Sequence, residues 1–219
     1  MTIADRPIGA FLSDVASACV TPSGGAVAAI GGAMGSALCG MVCIHTIEHG
    51  DDRVAGNATE TTTDRKRSNA ETTPPDFIAL RNAFESRRER LLDLADADVA
   101  AVDAVGEAFA ADGSPDRRHE AAKRATEVPI ETAATTRDVL VDAIAVTEHG
   151  ARNAVPDGVT GAFLAHAAVH ASVATVRANL DHLEDEPAAA FAERADAIKA
   201  DADRSLAAVC SADVTADRE

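Results

Sequence analysis

The chain has 219 residues, enough for one domain with a substantial core, and a net charge of −16 carried by acids spread along its whole length. Such a surface repels nucleic acid and anionic membranes, so neither is expected as a partner. Hydrophobic residues make up 47% of the chain but aromatics only 3%, with no Trp and no Tyr. A core of Ala, Val, Leu and Ile fills space only where backbones come close. With alanine's helix propensity and few β-branched runs, this predicts an all-α fold.

In chain order, Ile8, Phe11, Leu12 and Val15 are spaced for a short helix over Ile8–Ala18, which Thr21-Pro22-Ser23-Gly24-Gly25 breaks. A long helix is expected from about Ala26 to about His49. The chain is then polar from 52 to 76, and Asn57–Asp76, Thr-rich and closed by Pro74-Pro75, reads as a loop. Phe77 to about Ala111 reads as one long helix, stopped at Asp112-Gly113-Ser114-Pro115. Another starts near Asp116 and runs to Gly150, with Pro129 as a kink or a fresh start. Arg152–Gly161 reads as a turn-rich connection, followed by helices over Ala162–Leu183 and Pro187–Cys210. This predicts a single helical domain over residues 1–219, an up-and-down bundle of about seven helices.

Thr21–Ile44 contains no charged residue. It is long enough to span a membrane, but it lacks a basic flank and is rich in Gly, Ala and Ser where a span favours Leu, Ile and Phe. Gly24, Ala28, Gly32, Ser36 and Gly40 recur every four residues, with Gly31 and Gly35 beside them. The result is a stripe almost free of side chains that lets another backbone approach, which predicts a buried helix against a close neighbour. No nucleotide-binding glycine motif is present. Ser23-Gly24-Gly25 reads equally as a plain helix cap or as free amides able to hold an anion or carboxylate.

Cys19, Cys39, Cys43 and Cys210 form no CxxC pair, so no zinc or disulfide framework is expected and a reducing, cytoplasmic setting fits. The first residues are acidic, with no apolar run of a signal peptide. His45-Thr46-Ile47-Glu48-His49 spells H-x-x-E-H, a zinc pattern, and His166/His170 are a second i, i+4 pair. The first ends a Gly-rich helix and the second fits an apolar face, so no metal is expected.

Thr21-Pro22-Ser23-Gly24-Gly25-Ala26-Val27-Ala28-Ala29, running on through Ala33-Met34-Gly35, resembles the opening of the cyclodeaminase/cyclohydrolase family. That family comprises the cyclodeaminase half of formiminotransferase-cyclodeaminase and the stand-alone methenyltetrahydrofolate cyclohydrolases. Further matches follow in the family's order. Leu91–Asp98 resembles its Leu-rich segment ending in Asp-x-Asp, and Val128-Pro129-Ile130 its Val-Pro-Leu. Gly150, Asn153 and Asp157 fall where it has a Gly-Asn…Ser-Asp turn, and Val176–Leu180 resembles its Asn-Val-x-x-Asn-Leu. The resemblance spans about Phe11 to Leu183. Ser23 replaces a glycine of the family's turn and Ala26 its serine, Pro156 replaces a serine, and Thr175 an asparagine. The composition also resembles that of salt-adapted proteins of halophilic archaea.

The resemblance implies a homodimer acting on a tetrahydrofolate derivative, with no separate cofactor. Asp98 matches the family's catalytic acid/base, and Asp157 is either a second catalytic group or a helix cap. Thr21, Pro22, Ser23, Gly24, Gly25, Asn153, Arg177 and Asn179 match substrate-contacting positions, with Arg177 and Asn179 facing the glutamate carboxylate or pterin edge. The activity implied is methenyltetrahydrofolate cyclohydrolase, favoured by the lack of a fused formiminotransferase, or formiminotetrahydrofolate cyclodeaminase. A non-catalytic helical oligomerisation module and a zinc hydrolase are the remaining readings.

Overall fold

In the computed structural model, residues 2–56, 75–110 and 114–216 are described. They form six α-helices and two 3-10 turns: α1 (Ile8–Val15), α2 (Gly24–Gly56), α3 (Phe77–Phe109), α4 (Pro115–His149), α5 (Val155–Asn179) and α6 (Asp185–Ala216). No strand occurs among the described residues. The expected all-α bundle is present, with six α-helices where about seven were anticipated. The difference lies at Pro129, which sits inside α4 without starting a new helix.

Two boundaries around the site move, at the end of α2 and the start of α5. The helix expected to stop near His49 extends to Gly56, while residues 57–74, read from sequence as loop, lie outside the described residues. α5 starts at Val155, within the expected connection, because Pro156 falls in its first turn, where the missing N–H would have no helical partner anyway. α3 starts where expected: Asp76 caps it, its carboxylate accepting from the Ile78 and Ala79 amides at 3.0 Å.

α2 is the central element, packed on α3, α4 and α5. Its small residues do allow close approach, but to three neighbours and not one. A Cβ on Gly32 would stand 2.6 Å from Thr136 Oγ1 and 3.3 Å from Leu91 Cδ1, and one on Gly40 3.5 Å from Phe84 Cβ. Around the helix, a Cβ on Gly35 would meet the Gly161 carbonyl oxygen of α5 at 2.6 Å. Ser36 fits the first face by donating to the Phe84 carbonyl at 2.7 Å. Gly24 has nothing within 4 Å and takes no part in the contact. The stripe thus serves packing inside one chain.

The larger side chains of the core come from the neighbouring helices: Phe84, Leu91 and Leu94 of α3 and Ile130, Val139 and Leu140 of α4 are fully buried. α4 also buries Thr126, Thr132 and Thr147, whose hydroxyls donate to carbonyls one turn back and so enter the core satisfied. Cys39 and Cys43 are buried, and burial pushes their thiols up to about 12 and about 11. Both act as small apolar groups.

Candidate active site

The turn before α2 and the middle of α3 meet at Asp98. Its side chain is 4% exposed. Oδ2 accepts from Ser23 Oγ at 2.9 Å and from the Ala26 amide at 2.8 Å, one of the free N–H groups at the start of α2. Oδ1 accepts no hydrogen bond among the described residues. It lies where a Cβ on Gly25 would be, 2.0 Å from that position, so a glycine at 25 is what lets the carboxyl reach the helix end. The Thr21–Pro22 peptide beside it is cis, and Thr21 Oγ1 donates to Asp103 at 3.3 Å.

Burial raises the Asp98 carboxyl above its ordinary value, and the bonds from Ser23 and Ala26 pull it partly back. Desolvation wins, which moves the group towards the range where it can both hold and release a proton near neutrality. The same helical segment shows why only this acid is so placed. Asp96, two residues earlier, turns to the N-terminal segment and accepts from the Ile3 amide at 2.9 Å. Asp93 is exposed.

Asp98 and Ser23 open on a cavity of about 350 Å³, in the size range of small-ligand pockets. Ala101, Val102, Val105 and Phe109 of α3 give it an apolar wall, and Thr175, Asn179 and His182 supply polar groups from α5 and the turn after it. Phe109 stands edge-on to His182, ring centroids 6.1 Å apart, and carries the Arg118 guanidinium 5.5 Å from its own centroid. His182 and Phe109 were not read from sequence as site residues. His182 has no motif around it, and Phe109 looks like one more apolar residue at a helix end.

Asn179 reaches the cavity wall with its amide already engaged, donating to the Ala125 carbonyl of α4 at 2.8 Å. That carbonyl is the one whose helical partner would be the N–H of residue 129, which proline lacks. The two sequence matches at Pro129 and Asn179 are therefore halves of one local arrangement.

The remaining expected residues lie elsewhere. Arg177 is exposed and pairs with Asp196 of α6, outside the cavity. Asn153 and Asp157 are exposed at the start of α5. Their neighbour Gly158 touches Cys39 Sγ at 3.8 Å, whereas Asp98 is bonded at Ala26. Thirteen residues of α2 separate the two levels, about 20 Å at 1.5 Å per residue. Within one chain, Asp157 and Asp98 do not share a site. In the H-x-x-E-H pattern, His45 and Glu48 lie 4.0 Å apart on the surface, and the His49 side chain lies outside the described residues. His166 and His170 do not fill an apolar face; they meet Asp203 of α6.

Fold and site together define an all-α bundle that holds a carboxyl group, nearly dry, against a ligand-sized apolar cavity. The chain belongs to the formiminotransferase-cyclodeaminase family, whose model matches residues 7–197. It is 32% identical over 197 residues to a methenyltetrahydrofolate cyclohydrolase of Methylorubrum extorquens, covering 86% of this chain and 85% of that one. The fold is similar to the crystal structure of formiminotetrahydrofolate cyclodeaminase from Thermotoga maritima, with a TM-score of 0.80, 26% identity and 96% of each chain covered.

Proposed function

We propose that this chain is an enzyme of folate one-carbon metabolism that opens the methenyl bridge of 5,10-methenyltetrahydrofolate with water, using Asp98 as the proton carrier. Family membership and the cyclohydrolase relative support the substrate class. The observation that carries the mechanism is a desolvated carboxyl lining the cavity, its Oδ2 anchored by Ser23 and Ala26 and its Oδ1 without a hydrogen-bond donor among the described residues. Water adds to the bridging carbon as its proton passes to Asp98, forming a tetrahedral carbon between two nitrogens. One carbon–nitrogen bond then breaks, and Asp98 returns a proton to the departing nitrogen. The hydroxyl on the tetrahedral carbon gives up its proton to solvent as its oxygen becomes the carbonyl, so the formyl group stays on the other nitrogen and the charge of the methenyl cation leaves as that proton.

The same site supports cyclodeamination. There N10 attacks a formimino carbon on N5 and the carboxyl protonates departing ammonia, the activity named for the similar Thermotoga structure. Assays of the purified chain at high salt on both substrates separate the readings. Turnover of the methenyl compound alone supports the first, turnover of the formimino compound the second, and no turnover of either overturns both.

The apolar wall of α3, which ends at Phe109, provides the face contact for the pterin. A second depression that shares Phe109 and His182 with the cavity is lined by Arg118 and His119 and also by Asp181 and Glu184, so Arg118 is its cation for a glutamate carboxylate and the two acids oppose one. No group beyond the substrate is needed for the proton transfers described.

A homodimer is the assembly we propose, and the outer surface supports it. Residues 21–47 and 158–176 contain no Asp, Glu, Lys or Arg, and they lie side by side on α2 and α5. Val27 and Met34 of α2 and Phe163 of α5 are exposed there. Both helices are long and apolar enough to cross a membrane, yet half of the α2 window is buried inside the bundle. A second copy covering this surface removes a charge-free patch from water. Met34→Glu should convert the dimer to a monomer in sedimentation. A monomeric parent chain would sink the proposal.

A further inference from the structure

We infer that His166, His170 and Asp203 form a binding site for a divalent transition-metal ion, joining α5 to α6 on the surface away from the Asp98 cavity. The two imidazoles lie one helical turn apart, with ring centroids 4.3 Å from each other. Their Nε2 atoms converge on the same carboxylate oxygen, each 2.8 Å from Asp203 Oδ1. All three donor atoms fall within 4.8 Å of one another.

Ligands held about 2.0 to 2.1 Å from a tetrahedral ion stand roughly 3.3 Å apart, so each histidine need part from the carboxylate by about half an ångström. The two imidazole nitrogens, within 4.8 Å of each other, need close by no more than about 1.5 Å. Two side chains on one helix and a third on its neighbour fix three corners, and the partly exposed side chains leave the fourth to solvent. Lys199 donates to the other oxygen, Oδ2, at 2.9 Å and orients the carboxylate without occupying Oδ1. These contacts hold Asp203 ionised, its carboxyl well below the usual range, first through Lys199 and then through the two histidines. Two imidazoles with one carboxylate select zinc, nickel or copper over magnesium or calcium, which take oxygen ligands.

The test uses the full chain and zinc chloride alone. Calorimetry should give one strong zinc site per chain and no comparable magnesium site. At a hundredfold excess over its Kd, zinc should raise Tm by about 5 °C. His166→Gln with His170→Gln should abolish that site and that shift, and Asp203→Asn should weaken binding by about tenfold or more. Both positions are partly exposed, and an unchanged helical signal would show the variants folded. His45→Gln with His49→Gln should leave zinc binding intact. No zinc site in the parent chain, or one that survives the double change at 166 and 170, overturns the inference.

Discussion

Asn179 donates its side-chain amide to the Ala125 carbonyl at 2.8 Å, supplying the hydrogen bond that Pro129 cannot give. The bond is part-buried and Ala125 lines the cavity, so losing it costs about 0.5 to 1.5 kcal/mol. Asn179→Ala should therefore destabilise the fold by about that amount in denaturant unfolding. With Pro129→Ala present, the residue 129 amide can bond to Ala125, and the same Asn179→Ala change should cost clearly less. Equal costs in both backgrounds would show that the two residues are not coupled.

Asp98→Asn keeps the shape of the side chain but cannot carry a proton. Turnover should fall by about two to four orders of magnitude, with substrate affinity little changed. Stability offers a second readout. Burial raises the Asp98 carboxyl, so its contribution is fully present below the unfolded carboxylate range, near pH 4, and is lost as pH rises through the folded value. The variant has no such loss and should gain Tm relative to the parent between pH 4 and pH 8. A Tm difference that does not vary with pH would mean that the carboxyl titrates normally.

Ser23 donates to Asp98 where the resemblance leads one to expect glycine, and that bond lowers the carboxyl's proton affinity. Ser23→Ala should shift the limb of the pH–rate profile that belongs to Asp98 to higher pH while leaving the fold intact. A downward shift would contradict the assigned donor.

Gly35 and Gly40 test the packing of α2. A Cβ at 35 meets backbone at 2.6 Å, and one at 40 meets ordinary contact at 3.5 Å. Gly35→Ala should destabilise by about 1 to 3 kcal/mol through overpacking. Gly40→Ala should be neutral or stabilising, since alanine gains about 1 kcal/mol over glycine inside a helix. Chemical denaturation ranks the two, and the reverse order would refute the account. Gly32→Leu, aimed at Thr136 and Leu91, should be the most damaging of the three.

Asp157 stands about 20 Å along α2 from Asp98, in the first turn of α5, where an acid favours the helix end. Asp157→Ala should lower turnover less than tenfold while reducing stability slightly. A loss as large as that of Asp98→Asn would mean that a second copy of the chain brings its Asp157 to the site.

The helical class was legible in the sequence because it rests on local quantities: alanine content, the scarcity of β-branched runs, and apolar residues at helical spacing. The close approach along α2 was legible for the same reason, since glycines every four residues must share a face. What recurs locally could not say which neighbour arrives. Gly32 turns to α3 and α4 and Gly35 to α5 because one hundred degrees of rotation separates successive residues, and only packing assigns the facing helix. Nor could sequence spacing tell that Asp96 ties down the N-terminus while Asp98 enters the cavity, or that Arg177 is taken by Asp196. Those outcomes depend on contacts between residues far apart in the chain. The cavity is the clearest case. Its walls come from the turn before α2, from α3, α4 and α5, and from the turn after α5, so it exists only once the bundle has closed and buried Asp98.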